Sequence, residues 1–307
     1  DSVIDIDDSA VTHDSTVDTY IGDLTSNFQD FCNGYTERIV EGTVDLSAAT
    51  TADVDSLTCL TMVTRHLYIE SNGELTNVDG LSNLSSVGWS LYIGDDGALE
   101  NVDGLSNLSN VGGHLHIYSN TSLSNIDGLR TLSRVRGDLH ISSNDVLSNV
   151  EGLTSLSSVG GDLYISSNAS LSNVEGLRSL STVGGCLYIR SNASLSKIDG
   201  LTSLSIVRGC LDISSNDMLS NIEGLRSLSS VGGGLDISSN AALSNIEGLR
   251  SLSRVGGVLY ISSNDVLSNV EGLRSLSSVG GLKIDSNDML SNVDGLRSLS
   301  SVGGNMY

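Results

Sequence analysis

A 24-residue repeat dominates the sequence and constrains its fold more than any other feature. With positions counted from the first residue of a leucine–x–isoleucine triplet, copies begin at Leu67, Leu91, Leu115, Leu139, Leu163, Leu187, Leu211, Leu235, Leu259 and, one residue early, Leu282. Val44–Leu46 resembles a degenerate earlier copy, and Met306 begins another. A unit this short cannot bury its apolar face alone, so the period indicates a solenoid of stacked coils.

The apolar positions within a repeat predict short strands and tight turns. They are positions 1, 3, 9, 12, 15, 18 and 21, and one copy has Leu163, Ile165, Leu171, Val174, Leu177, Leu180 and Val183 there. Positions 1 and 3 alternate with polar residues, as in a strand that points both side chains inward. From position 9 onward the apolar residues are three positions apart, which favours extended and 3₁₀ segments over a long helix. We predict a mainly β, parallel β-solenoid of about 11–12 coils, roughly 55 Å long.

Three further positions carry polar or small residues in almost every copy. Position 14 is glycine from Gly80 to Gly295, which predicts backbone angles that other residues resist. Position 6 is asparagine except at Asp96, and position 11 is asparagine except at Lys197. We predict that both asparagine columns are buried ladders that pair backbone groups left open by the turns, rather than ligand sites.

The consensus LxIxxNxxLxxVxGLxxLxxVxGx resembles the receptor L-domain type of leucine-rich repeat. That family includes the ligand-binding lobes of insulin- and epidermal-growth-factor-type receptors and repeats of fungal cell-wall surface proteins. The resemblance covers residues 32–307 and implies a right-handed solenoid in an extracellular, surface or wall-associated setting. It also implies a disulfide in the N-terminal cap, where Cys32 and Cys59 flank the degenerate coil. It implies no particular ligand.

Charge and cysteine content narrow the classes of partner and compartment. A formal charge of -22 argues against nucleic acid and anionic membranes as partners, and no apolar run reaches the roughly 20 residues of a membrane span. The chain starts at Asp1 without a signal-like segment, so we expect a processed, extracellular product. Cys186 and Cys210 lie one repeat apart and are either a disulfide between adjacent coils or two free thiols.

The ends of the chain suggest assembly. We predict an extended acidic arm at 1–31, with a short helix from Thr25 to Phe31, then a cap and degenerate coil at 32–65 and the solenoid at 66–307. The arm is either a solvated leader, a strand on its own cap, or a strand that pairs with another subunit. Because an uncapped last coil leaves backbone and core open, copies would join head to tail into a fibre. The predicted contacts are Val3, Ile4 and Ile6 in the arm and Val302, Met306 and Tyr307 at the edge.

The outward side of the main strands carries rings rather than small polar residues. Positions 24, 2 and 4 point outward and place His66, Tyr68, Tyr92, His116, Tyr118, His140, Tyr164 and Tyr188 on one face. This face predicts contact with a protein or a glycan, and packing against a neighbour is the simpler alternative. A zinc or copper site at His114, His116, His140 and Asp138 is a further alternative.

The remaining polar patterns predict modification and charge pairing. Position 13 is acidic throughout, and an arginine three residues later pairs it in many copies; calcium on the unpaired Asp79, Asp103, Glu151 and Asp199 is the alternative. Otherwise no cofactor is expected. Of the glycosylation sequons, Asn83 and Asn107 are credible acceptors, whereas Asn120, Asn168 and Asn192 fall in the position-6 ladder. No nucleophile–base set appears, so we expect no enzyme activity. The two functional hypotheses are therefore an extracellular fibre subunit and a surface adhesion or ligand-binding module.

Overall fold

The computed structural model describes residues 17–305, which form one stack of parallel coils. Two α-helices, Phe28–Phe31 and Thr51–Asp55, belong to the N-terminal part. The strands of the described range, β1 to β22 in chain order, are Asp18–Ile21, Arg38–Glu41, Val44–Asp45, Leu60–Val63, Leu67–Glu70, Ser86–Val87, Leu91–Gly94, Asn110–Val111, Leu115–Tyr118, Arg134–Val135, Leu139–Ser142, Ser158–Val159, Leu163–Ser166, Thr182–Val183, Leu187–Arg190, Ile206–Val207, Leu211–Ser214, Ser230–Val231, Leu235–Ser238, Arg254–Ser262, Ser278–Asp285 and Ser301–Val302.

Each regular coil contains one long strand, one 3₁₀ turn and one short strand. The 3₁₀ turns are Asp79–Leu81, Asp103–Leu105, Asp127–Leu129, Glu151–Leu153, Glu175–Leu177, Asp199–Leu201, Glu223–Leu225, Glu247–Leu249, Glu271–Leu273 and Asp294–Leu296. Long strands pair in parallel with long strands and short with short, each shifted by one repeat, as in Leu139↔Leu163 and Val159↔Val183. β20 and β21 run through both sets and join them into one sheet. The predicted parallel solenoid is confirmed, and residues at equal repeat positions stack in columns.

The core runs along the axis of the stack. The apolar positions 1, 3, 9, 12, 15, 18 and 21 are almost fully buried from Leu67 to Leu276, as predicted from their spacing. The last described coil differs, because Leu290, Leu296, Leu299 and Val302 are only partly buried there.

The position-14 glycines allow close packing between coils and do not have the unusual backbone angles predicted for them. Positive-φ glycines in residues 17–305 are Gly22 and Gly34, so the prediction of unusual angles at position 14 is wrong. Instead, a Cβ at Gly152 would overlap the carbonyl oxygen of Ile126 in the preceding coil. Glycine allows successive 3₁₀ turns to stack closely. The left-handed backbone occurs at position 5, with φ of 53–62° at Ser71, Asp95, Ser119, Ser143, Ser167, Ser191, Ser215, Ser239, Ser263 and Ser286.

The two asparagine columns also differ from each other. At position 6 the predicted ladder forms: the Asn144 Nδ2 donates to the Ile117 carbonyl of the preceding coil, and its Oδ1 accepts the Asn120 backbone N–H. At position 11 the ladder prediction is wrong. The Asn149 Oδ1 accepts the N–H of Glu151 within its own coil, which opens the 3₁₀ turn.

Hydroxyl and charge columns complete the contacts between coils. Serine Oγ atoms at position 19 donate to a carbonyl of the preceding coil, as Ser157 does to Ser133. The acids of position 13 pair with arginines both within a coil, as Asp127 with Arg130 at 2.9 Å, and across coils, as Arg250 with Glu223 at 3.2 Å. These pairs form the predicted charge lattice along one edge.

The described part of the predicted arm lies on its own chain. β1 pairs in parallel with β2, and Leu24, Phe28 and Phe31 enter the core. The helix there is shorter than predicted and spans Phe28–Phe31. The predicted assembly residues Val3, Ile4, Ile6, Met306 and Tyr307 lie outside the described residues, and Val302 lies in β22. Among residues 17–305, no helix has the length and apolarity needed to cross a membrane.

Candidate functional site

Six rings stand in one line on the outer face of the long strands. This aromatic row consists of Tyr68, Tyr92, His116, His140, Tyr164 and Tyr188, all at position 2 of successive coils. Successive ring centroids are 5.0, 5.1, 4.4, 4.0 and 4.3 Å apart. The one-repeat register brings these predicted site residues together, because equal positions must stack when the strands pair in parallel.

The rings of the aromatic row turn mostly towards each other. Tyr68 and Tyr92 stack with planes 11° apart, and Tyr164 and Tyr188 with planes 10° apart. At these separations no flat sugar ring fits between two neighbours, so the row offers ring edges and hydroxyl groups to a partner. Each ring is half-buried by its neighbours and held in place before any partner arrives. Rigid, partly exposed tyrosine edges are typical of protein-binding surfaces.

The row continues at its N-terminal end through two further rings. His66 lies 5.6 Å from Tyr68 and 5.1 Å from Trp89, measured between ring centroids. Trp89 is 54% exposed, and the Arg65 guanidinium lies 5.7 Å from its ring. Sequence reasoning missed Trp89, although it is the single tryptophan of the chain and directly precedes outward position 24.

Tyr118 lies beside the row and is held by an acid two coils away. Its hydroxyl donates to the Glu70 Oε1 at 2.6 Å, and its ring covers Gly94, where a Cβ would overlap it. Burial and this hydrogen bond raise the pKa of Tyr118. Gly94 thus makes room for an anchored ring that widens the face.

Burial disfavours the charged form of the two histidines in the middle of the row. Burial, with smaller contributions from His140 and His114, lowers the pKa of His116 to about 4. Burial also lowers the pKa of His140. Protonation of the middle of the row is therefore disfavoured.

A column of acceptors runs along one side of the row at position 24. The His114 Nδ1 accepts the Asp138 N–H at 3.0 Å, and the Asp138 Oδ1 accepts the Asp162 N–H at 2.8 Å. The Asp162 Oδ1 then accepts the Cys186 N–H at 2.6 Å. The His114 Nδ1 is also 3.1 Å from the Asp138 Oδ2, but the amide can only donate, so we assign this nitrogen as an acceptor.

These hydrogen bonds and the stacking of the rings leave no metal site in the described chain. The His116 and His140 rings stack with planes 14° apart, so their nitrogens do not converge, and the His114 Nδ1 is occupied. Residues 17–305 contain no group of three or more histidines, cysteines or acids arranged for a metal ion. The zinc or copper alternative, and calcium on the unpaired position-13 acids, therefore have no structural basis in this range. Two of those acids also lie near cations, since Arg130 approaches Glu151 at 3.7 Å and Lys197 pairs with Glu175 beside Asp199.

Both cysteine pairs are disulfides. Cys32 and Cys59 join the first helix to the degenerate coil, with Cα atoms 5.5 Å apart. Cys186 and Cys210 join adjacent coils at position 24, with Cα atoms 4.4 Å apart, so the alternative of two free thiols is wrong.

The asparagines of the glycosylation sequons form two groups, one buried and one exposed. Asn120, Asn168 and Asn192 are fully buried in the position-6 ladder. Asn83 and Asn107 are exposed, and each Nδ2 donates to a carbonyl of the preceding coil, at 2.7 and 2.6 Å. A glycan on either would lie opposite the core from the long strands, away from the aromatic row.

The solved structures that are similar to this chain include two leucine-rich-repeat proteins. No protein-family model matches the chain, and no curated protein matches it. An internalin from Listeria monocytogenes is similar over 89% of this chain and 73% of its own length, at 19% identity and a TM-score of 0.44. TLR13, solved as a complex with ssRNA13, is similar over 92% of this chain, which spans 53% of TLR13, at 14% identity and a TM-score of 0.35. At these values neither similarity assigns a function.

Proposed function

We propose that this protein is an extracellular recognition module that binds a protein partner through the aromatic row. The observation that carries the proposal is the unbroken line of six packed rings whose outer edges face solvent. Two disulfides support an oxidising compartment, and tyrosine and tryptophan are the residues most often found at the centre of protein interfaces.

The size of the face supports a protein rather than a small ligand. Five strand-to-strand steps at roughly 4.8 Å give the row a length of about 24 Å. Trp89 at one end and Tyr118 at the side enlarge it towards the ~800 Å² that each partner of a stable complex contributes. The rings are already stacked, so binding costs little side-chain entropy.

To test the proposal, the full chain and its variants are immobilised and exposed to a displayed library of extracellular proteins. The proteins that each variant retains are then compared. Replacing Tyr92 and Tyr164 by serine breaks the row at two points without touching the core. We expect specific partners of the unmodified chain to lose at least roughly tenfold in affinity, because each serine removes a half-buried ring.

A matched control keeps the row and changes apolar exposure elsewhere. Met218 and Val266 are exposed by 58% and 37% outside the row, and both are replaced by serine. This control should bind as the unmodified chain does. Equal retention of the same proteins by all three chains would contradict the proposal.

A second proposal, end-to-end assembly into a fibre, is supported by the two ends of the described sheet. Among residues 17–305, β1 at one end is paired with β2, and Ile21 is 82% exposed; at the other end, Leu296 and Leu299 are partly exposed. Contact between these unlike ends would generate an open filament.

Sedimentation velocity on charge variants tests the fibre. Ile21→Lys and Leu299→Lys should each abolish polymers because each buries a charge in the contact, and their mixture should stop at dimers with one intact joint. Met218→Lys, in the middle of the stack, should polymerise normally. A concentration-independent monomer for the unmodified chain would rule the fibre out.

A further inference from the structure

The aromatic row is interrupted after Tyr188 by two acids and then resumes. At position 2 the next coils carry Asp212 and Asp236, followed by Tyr260, and β-sheet register aligns the four residues. At roughly 4.8 Å per strand, Tyr188 and Tyr260 stand about 14 Å apart. We call the space between them the acidic slot.

The slot is a shallow depression, open to solvent, with aromatic ends and an acidic floor. Its volume is about 260 Å³, several times the ~30 Å³ of one water molecule, and Tyr188, Tyr260, Asp212, Asp236 and Val258 line it. Position 24 is Gly234 at this level, and the missing side chain widens the slot. The feature is therefore a shaped site, and the two acids are its floor.

The carboxylates on the floor have unused hydrogen-bonding capacity. The Oδ1 atoms of Asp212 and Asp236 are buried and have no hydrogen-bond partner in the described chain. The Asp212 Oδ2 lies 3.9 Å from the Arg190 Nη1, a distant pair, and Asp236 forms no ion pair within residues 17–305. Two neighbouring carboxylates with so little compensation are unfavourable, and a cation placed beside them would stabilise their charge.

We propose that the acidic slot binds one lysine or arginine side chain of the protein partner. The ammonium or guanidinium group would lie against the carboxylates of Asp212 and Asp236, while the side-chain stem lies between Tyr188 and Tyr260. This inference rests on the proposed function and adds the chemistry of the partner at one end of the aromatic row.

The chain itself shows that these tyrosines accept cations. The Arg190 guanidinium lies 5.3 Å from the Tyr188 ring, and the Lys283 Nζ lies 4.8 Å from the Tyr260 ring. Neither Arg190 nor Lys283 is among the residues that line the slot. Cation–π contacts of this kind strengthen when the cation is desolvated. The net charge of -22 further favours a basic partner.

A single-residue probe separates the slot from general charge attraction. Nα-acetyl-lysine methylamide is titrated into the full chain carrying ¹³C-labelled tyrosine, and the Tyr188 and Tyr260 ring resonances are followed by NMR. The Nε-acetylated form of the probe, which lacks the charge, serves as the ligand control. We expect shifts confined to these two rings, with affinity at least tenfold higher for the charged probe.

Variants with equal changes of net charge complete the test. Asp212→Asn with Asp236→Asn should weaken binding at least roughly tenfold, whereas Asp145→Asn with Asp217→Asn, at exposed positions outside the slot, should leave it unchanged. Equal weakening by both pairs, or equal binding of both probes, would overturn the proposal. Tyr92 packs between Tyr68 and His116 and does not contact Tyr188, so Tyr92→Ser alone interrupts the row and leaves the slot intact. Loss of the slot alone and loss of row binding alone are therefore distinguishable.

Discussion

Asp96 takes the place of an asparagine in the buried ladder. Its carboxyl group can donate a hydrogen bond only when it is protonated, whereas the asparagine amide always can. The Asp96 Oδ1 accepts the Asn72 backbone N–H at 2.7 Å, while its Oδ2 is buried without a partner in the described chain. From Asn120 to Asn287 the corresponding Nδ2 donates to the position-3 carbonyl of the preceding coil, and the equivalent carbonyl for Asp96 is that of Ile69. Only a protonated Asp96 can reproduce that bond.

The pH dependence of stability follows from this proton. Burial raises the pKa of Asp96 to about 7, with Glu70 and Asp95 adding repulsion. The folded chain thus holds the proton more tightly than the unfolded chain, whose aspartates titrate near pH ~4. The contribution of Asp96 is fully present below pH ~4 and is lost as the pH rises towards about 7, on the order of 4 kcal/mol in total.

Replacing Asp96 by asparagine should therefore raise stability most at high pH. Thermal melts between pH ~5 and ~8 should show a higher Tm for Asp96→Asn above neutrality and a weaker fall with pH. Asn120→Asp, which adds a second buried carboxyl, should steepen the fall. Parallel pH profiles for all three chains would refute the role of Asp96.

At the scale of the element, the 3₁₀ turn depends on its central glycine more than on its own hydrogen bonds. The turn is only three residues long, so its stability comes from packing against the turn below. Gly152 touches the Ile126 carbonyl so closely that no Cβ fits. The turn is therefore shaped by its neighbour.

Gly152→Ala should destabilise the middle of the stack, by roughly 1–3 kcal/mol or more, because the backbone of one coil must move away from the next. Hydrogen exchange should accelerate at the amides of Gly152 and Leu153 and in the adjacent coils. Gly73→Ala is the matched control, since open space surrounds that position, and it should change stability by less than ~0.5 kcal/mol. Equal effects of the two variants would show that close stacking does not explain the column.

At the scale of the whole molecule, repetition made the architecture predictable from the sequence. Once the 24-residue period is known, the inward leucines, the parallel register and the position-6 ladder follow, because equal positions must stack. The same reasoning placed the rings from Tyr68 to Tyr188 on one face. It worked because each of these features depends only on which residues are neighbours.

Features that depend on distance and orientation were not predictable. The period does not reveal how closely the position-14 turns approach each other, so the sequence alone predicts unusual backbone angles at these glycines. Nor does it show that the His116 and His140 rings stack, which removes the metal site. The acidic slot was missed because it arises from an interruption of a column, at Asp212 and Asp236, rather than from the pattern itself.

The position-6 ladder has a direction, and that direction has a consequence for synthesis. The Asn144 backbone N–H donates to the Asn168 Oδ1, which belongs to the coil made later. Each coil therefore completes its buried hydrogen bonds only after the following one has left the ribosome. Folding during translation would proceed from the N-terminus with a lag of one coil, so that the growing tip always presents an unfinished ladder to the next segment.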